Sequence, residues 1–298
     1  MRTGRSSDIW FSLTPLSRLR TAQLYRAARP DEASTRDKER LVQEYKIKSI
    51  IDLRTKLVNP DIAHAIHAYQ YRTEHIEQAQ KRDAKIKASA AVPQTNDDVA
   101  EPLKIPGIRY HEININGSAF GRMLMSKLSW LEFSRLVGLM TIGRRNDAVK
   151  ILAPHMEEMG LVGLAKNSLD VCKKEVRRVF EVLGNKSNWP VLVHCTQGKD
   201  RTGLIVMLVL FLLGVEEDVI DKDYRLSEPE LASEKKGRLK ELALIGLTEQ
   251  FAVCPPDVVR SVHSHIQEKY GGVRQYLKEA GVGQRAVDYV IQTMLAET

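Results

Sequence analysis

The strongest constraint on this chain is a strand–loop–helix string, Trp189-Pro190-Val191-Leu192-Val193-His194-Cys195-Thr196-Gln197-Gly198-Lys199-Asp200-Arg201-Thr202-Gly203. Val191 to Val193 form a continuous aliphatic run, as in a strand covered on both faces of a parallel sheet. From Leu204 to Leu213 nearly every residue is apolar, which predicts a helix buried on all sides. Gly198 and Gly203 permit backbone geometry that other residues resist. A chain carrying this string is expected to fold as α/β, with a central, mostly parallel sheet flanked by helices.

The loop has a chemical logic of its own. Backbone N–H groups converge where a loop wraps a helix N-terminus, and the helix dipole adds positive potential there. A phosphate fits such a cradle, formed here by Thr196, Gln197, Gly198, Lys199, Asp200 and Arg201, and an arginine clamps two phosphate oxygens bidentately. The same field favours a thiolate over a thiol at Cys195. A thiolate facing phosphorus is a nucleophile for in-line attack, giving a cysteinyl-phosphate that water then hydrolyses.

His194-Cys195-x5-Arg201-Thr202-Gly203, and the fuller string with Gly198-Lys199-Asp200, resembles the signature of the atypical cysteine-based protein tyrosine phosphatases of bacteria and fungi. Leu24-Tyr25-Arg26-Ala27-Ala28-Arg29-Pro30, Ile51-Asp52-Leu53-Arg54 and Tyr270-Gly271-Gly272-Val273-Arg274-Gln275-Tyr276-Leu277 carry the likeness further. It runs from about residue 20 to the C-terminus and is weak at 75–107 and 117–165. The resemblance implies the cysteine phosphatase fold with a helical, lid-like insertion. It implies a phosphomonoester hydrolase of broad, dual or triple specificity, acting on phosphorylated protein. A phosphoinositide phosphatase is the alternative, and an inactive phosphate-binding module a further one. Sulfurtransferase loops generally lack Arg201-Thr202-Gly203, and arsenate reductases want resolving cysteines.

Within that reading Cys195 is the nucleophile and Arg201 the clamp. Thr202 is expected to donate its hydroxyl to the Cys195 sulfur, and His194 to order the loop. The leaving oxygen needs an acid. Many tyrosine phosphatases supply it from a Trp-Pro-Asp loop, which this chain lacks; Asp147 and Asp170 have no matching context. The resemblance points to Asp52 and Asp200, with Asp52 preferred as acid, Asp200 as an orienting group, and the division of labour open. Lys199 is expected either as a second cation at the pocket rim, suited to phosphoinositides, or as a plain solvated lysine. No cofactor or metal is required. His64 with His67, and His263 with His265, have zinc-like spacing, but no third ligand completes either pair.

At 298 residues the chain can bury a full core, and one domain over 1–298 with insertions is expected. The net charge of +7 suits phosphorylated substrates or transient contact with an anionic membrane. No basic run interleaved with aromatics argues for nucleic acid. Three scattered cysteines, Cys172, Cys195 and Cys254, fit a reducing, cytoplasmic setting. No signal peptide is evident, and Leu204 to Val215 is shorter than the about 20 residues that span a bilayer.

Along the chain, Leu24–Arg26 reads as an edge strand, 31–45 as an amphipathic helix with Asp31 and Ser34 as caps, and Lys46–Leu53 as a second strand. Residues 74–107 read as a mobile insertion and 108–115 as a third strand. Residues 117–165 read as a helical lid insertion, where Met123, Met125, Met140, Met156 and Met159 serve either core packing or a substrate-contacting face. Residues 167–184 read as one amphipathic helix. Ser227 with Glu230 reads as a capping box.

Overall fold

In the computed structural model the described residues are 19–30, 33–54, 104–232 and 235–295. Among the described residues four short strands form one sheet: β1 (Leu24–Ala27), β2 (Ser49–Asp52), β3 (Arg109–Glu112) and β4 (Val191–His194). Their order is β1-β4-β2-β3, and every pairing is parallel. The expected α/β architecture and the edge position of β1 are therefore present. The register sets Ala27 and Asp52 on either side of His194, so three strands end at one place. In an open parallel sheet that carboxyl edge is where ligands bind.

The helices are α1 (Thr35–Gln43), α2 (Ser118–Met125), α3 (Trp130–Thr141), α4 (Arg145–Val171), α5 (Lys173–Leu183) and α6 (Asp200–Leu212). They continue with α7 (Glu217–Arg225), the single turn α8 (Ser227–Glu230), α9 (Lys235–Leu244), α10 (Val258–Tyr270), α11 (Val273–Glu279) and α12 (Gln284–Met294). Ser34 caps α1 in a reciprocal capping box with Asp37. Asp31, the other expected cap, lies outside the described residues.

Alternation along the strands divides the core. Leu24, Ile51, Val191 and Val193 face α5, α6 and the C-terminal helices, whereas Tyr25, Ile50 and Leu192 face Leu41 of α1 together with Ile105 and Ile108. Helix α6 is buried along its length, as its uninterrupted apolar sequence predicts. A second apolar cluster joins α2, α3 and α4 to Leu242, Ile245, Leu247 and Phe251. Met156 is buried in it, and Met123, Met140 and Met159 pack against it, so these methionines serve packing.

Two expectations change. The single helix over 167–184 is two helices, because the backbone leaves helical geometry at Cys172; Leu169, Val176, Val179, Phe180 and Leu183 still share one core. Helix α4 is itself interrupted at Gly160, whose φ of 59° and ψ of −177° are not helical. Ser227 lies inside the turn of α8 rather than at its cap, because its hydroxyl is taken by Arg26. Of the insertion expected at 74–107, residues 74–103 lie outside the described residues, as do His64 and His67. Ile105 is buried in the cluster on the β1–β2 side.

Candidate active site

Cys195 follows β4 directly and is 3% exposed. The chain then turns through Thr196–Lys199 into the first turn of α6, whose N–H groups have no helical carbonyl to receive them. The turn is held from β1. Arg26, an arginine in an otherwise apolar strand, is 3% exposed. It donates to the Gly198 carbonyl (2.8 Å), the Asp223 Oδ2 (2.7 Å) and the Ser227 hydroxyl (2.8 Å). The Arg29 N–H donates to the Thr196 carbonyl at 3.2 Å. Gly198 has φ +69°, and a Cβ there would lie 2.5 Å from the Ala27 carbonyl oxygen, so the close approach of β1 to the loop requires glycine.

Arg201 is nearly buried and folds back over the loop. Its Nη1 donates to the Leu53 carbonyl (3.2 Å) and its Nη2 to the Thr196 hydroxyl (3.4 Å), while the Leu53 N–H donates to the His194 carbonyl (2.9 Å). The guanidinium is thus fixed between the end of β2 and the loop. His194 Nδ1 lies 3.1 Å from the Cys195 carbonyl, and its Nε2 lies 3.8 Å from Asp52 Oδ2. That position suits ordering of the strand end.

Asp52 and Asp200 occupy different settings. Asp52 receives the Arg54 N–H (2.9 Å), Nε (2.8 Å) and Nη2 (2.6 Å) on its two oxygens. Burial alone would push its carboxyl up. His194 and Arg54 outweigh that and hold it down at about 2. Asp200, in the first turn of α6, keeps 39% of its side chain exposed and lines a pocket with Arg201. The walls of that pocket come from α4 (Leu161, Leu164), α6 (Leu204, Met207), Tyr224 and Arg238.

Two side chains are not where the sequence put them. Lys199 is neither a rim cation nor solvated. It is 1% exposed, and its Nζ donates to the carbonyls of Val253 (2.7 Å) and Phe251 (3.3 Å), with Asp200 Oδ1 at 3.4 Å. The residue before α6 points its side chain inward, and those two carbonyls satisfy the ammonium there. Thr202 is fully buried, and its hydroxyl has no hydrogen-bond partner among the described residues, so the expected bond to the Cys195 sulfur is not made. Burial pushes the other two thiols up, Cys172 to about 12 and Cys254 to about 11.

His263 meets Glu217 (2.5 Å) and His265 meets Asp170 (2.8 Å). No group of three or more His, Cys, Asp or Glu among the described residues is placed to hold a metal. Sequence reasoning missed Arg26, Asp223 and Arg54 as supports of the loop. The available signal was a charge inside the apolar run of β1.

A model of the tyrosine phosphatase family matches residues 13–296, nearly the whole chain. The chain belongs to the tyrosine phosphatase family. Among curated members it is 33% identical over 139 residues to the triple specificity protein phosphatase PtpB of Mycobacterium tuberculosis, covering 39% of this chain and 47% of that one. A tyrosine-protein phosphatase of Nostoc commune is 29% identical over 126 residues, covering 38% of this chain and 42% of that one. The chain thus spans less than half the length of these relatives. Among solved structures, the catalytic core of the PP-IP phosphatase SIW14 from S. cerevisiae, in complex with citrate, covers 85% of this chain and 94% of its own. Its TM-score is 0.33 and its identity 15%, a likeness that carries no structural argument. No described helix is long and apolar enough to cross a membrane.

Proposed function

We propose that this member of the tyrosine phosphatase family hydrolyses phosphate monoesters through a cysteinyl-phosphate. The supporting observation is the placement of Arg201, fixed between the Leu53 carbonyl and the Thr196 hydroxyl at the N-terminus of a helix that begins five residues after Cys195. A phosphate seated there takes hydrogen bonds from loop amides and from the guanidinium. The Cys195 sulfur attacks phosphorus, the bond from phosphorus to the leaving oxygen breaks, and its electron pair goes to that oxygen. Water then attacks phosphorus, the S–P bond breaks, and the pair returns to sulfur.

Asp200 is the acid in this reading, reversing the preference drawn from sequence. Both Asp52 oxygens are engaged by Arg54, and His194 and Arg54 hold its carboxyl down at about 2, so its protonated form is disfavoured and neither oxygen is open to a leaving group. Asp200 stands next to Arg201 at the end of the loop with 39% of its side chain exposed. It protonates the leaving oxygen and then takes a proton from the attacking water. Asp52 instead braces the end of β2, on which Arg201 leans.

The substrate is phosphotyrosine in proteins, with range extending to phosphoserine and phosphothreonine. The name of the PtpB relative, a triple specificity phosphatase sharing 139 aligned residues, supports that breadth. The cytoplasm suits an unpaired nucleophilic cysteine. Turnover of para-nitrophenyl phosphate, abolished in Cys195→Ser, is the expected result. A wild-type protein that binds vanadate without turnover would overturn hydrolysis in favour of a phosphate-binding module.

A further inference from the structure

Among the described residues, the three most exposed large apolar side chains all belong to α3 or its C-cap. Trp130 is 82% exposed, Leu131 78% and Ile142 68%. The helix itself is well seated. Ser129 and Glu132 form a reciprocal capping box at its start, Leu136 is buried, and Leu139 and Met140 pack on the cluster shared with α4. Trp130 and Leu131 are therefore the outward side of an anchored helix, not a frayed end.

Steps of three and four residues carry that outer face from Trp130 and Leu131 through Ser134, Arg135, Gly138 and Thr141 to Ile142, all exposed. Large apolar groups stand at its two ends, with small residues and one arginine between them. Lys127, exposed three residues before Trp130, adds a second cation. None of these residues is acidic. Glu132, the one acid in the sequence of α3, is turned to Ser129 and to His155 of α4 (3.3 Å).

We propose that the outer face of α3 docks on an anionic phospholipid bilayer, Trp130 and Leu131 entering the boundary between headgroups and acyl chains and Lys127 and Arg135 resting on the phosphates. The net charge of +7 favours such a surface without locating it; α3 supplies the place. Tryptophan suits that boundary, because its ring leaves water while its indole N–H still reaches polar headgroups. Apolar burial and attraction between basic residues and anionic lipid add in contacts of this kind. A second copy of the chain fits less well. A two-fold pairing would set Lys127 and Arg135 near their own copies, with no acid on the face to meet them. Docked this way, the enzyme meets phosphorylated proteins held at the same membrane. The contact uses neither Cys195 nor Arg201 and stands apart from the hydrolase reading.

Sedimentation of the full chain with vesicles of phosphatidylcholine, alone or mixed with phosphatidylserine, tests this. Phosphatidylserine carries a phosphodiester, so binding to it reports on the docking face and not on phosphomonoester turnover. Binding to the mixed vesicles at low salt is expected to exceed binding to phosphatidylcholine about tenfold or more, and to weaken as salt rises. Trp130→Ser with Leu131→Ser should weaken it about tenfold or more while leaving the urea midpoint near that of wild type. Lys127→Gln with Arg135→Gln should erase most of the preference for anionic vesicles. Equal binding by wild type and the Trp130→Ser, Leu131→Ser protein overturns the proposal. So does a concentration-dependent dimer in sedimentation equilibrium that this double substitution abolishes, since a second copy then owns the face. A Trp10→Phe protein reads the contact with α3 intact, because Trp130 and the buried Trp189 are its remaining tryptophans. Acrylamide should quench Trp130 strongly in buffer and much less on the mixed vesicles, with emission shifted to the blue. A Trp130 already shielded in buffer also overturns the proposal, because another part of the chain then covers it.

Discussion

Replacing Arg26 with methionine removes the brace between sheet and loop while leaving a side chain that fills much of the same volume. Asp223 then keeps a carboxylate with 10% of its side chain exposed and no guanidinium at 2.7 Å. Breaking one partner out of a buried pair costs about 3–5 kcal/mol, chiefly because the orphaned charge stays buried. The Gly198 carbonyl loses its 2.8 Å donor, which costs about 1–3 kcal/mol, although the two losses overlap and do not simply add. Against a typical total stability of about 5–15 kcal/mol, Arg26→Met removes about a fifth or more. Urea unfolding followed by tryptophan fluorescence reads it well. Trp189 is buried beside β4 with its indole N–H donating to the Leu183 carbonyl at 2.6 Å, whereas Trp130 is exposed. Combining Arg26→Met with Asp223→Asn should recover part of the loss, since the buried charge is gone. Vanadate affinity at low urea should fall about tenfold or more as the Gly198 turn loosens. An Arg26→Met protein within about 1 kcal/mol of wild type, or an Asp223→Asn cost equal in both backgrounds, would refute the account.

Gly198→Ala should fold yet bind vanadate and turn over substrate about 30-fold less well, since a left-handed φ costs about 1–2 kcal/mol before the contact with the Ala27 carbonyl is counted. Lys199→Met should lower stability by about 2 kcal/mol by stripping one buried and one half-buried carbonyl of a charged donor, while the lipid-to-phosphotyrosine rate ratio holds; a selective loss on lipid substrates would return Lys199 to the substrate. With a series of aryl phosphates, Asp200→Asn should lose most rate on poor leaving groups and Asp52→Asn should lose rate evenly; the opposite pattern would make Asp52 the acid. The Asp52 carboxyl is lowered on folding to about 2, so its stabilisation is complete above about pH 4 and is lost as pH falls through about 2. Wild type should therefore shed about 2 kcal/mol over that range that Asp52→Asn does not, measured by urea midpoints at each pH.

The sheet and the loop were legible because local pattern fixes them. The aliphatic run of β4, the apolar length of α6 and the glycine at 198 each admit few conformations, and their juxtaposition places Cys195 and Arg201 whatever the rest of the chain does. Side-chain direction at the loop was not legible. Whether Lys199 reaches outward or inward depends on carbonyls at 251 and 253, more than fifty residues away, and nothing in the local string encodes them. The same holds for Asp52. Its suitability as an acid turns on where Arg54 folds, which spacing in the sequence does not reveal. The break at Cys172 leaves no mark in the sequence, because the apolar positions on either side keep helical spacing and face one core.

Phe251 belongs to the apolar cluster of α2, α3 and α4, and its carbonyl also receives the Lys199 ammonium. The geometry around Cys195 is therefore mortised into the helical layer as well as into the sheet. Exchanging that layer for a relative's by grafting would displace the seat of Lys199, and such chimeras should recover their chemistry only when the Phe251–Val253 turn travels with the graft.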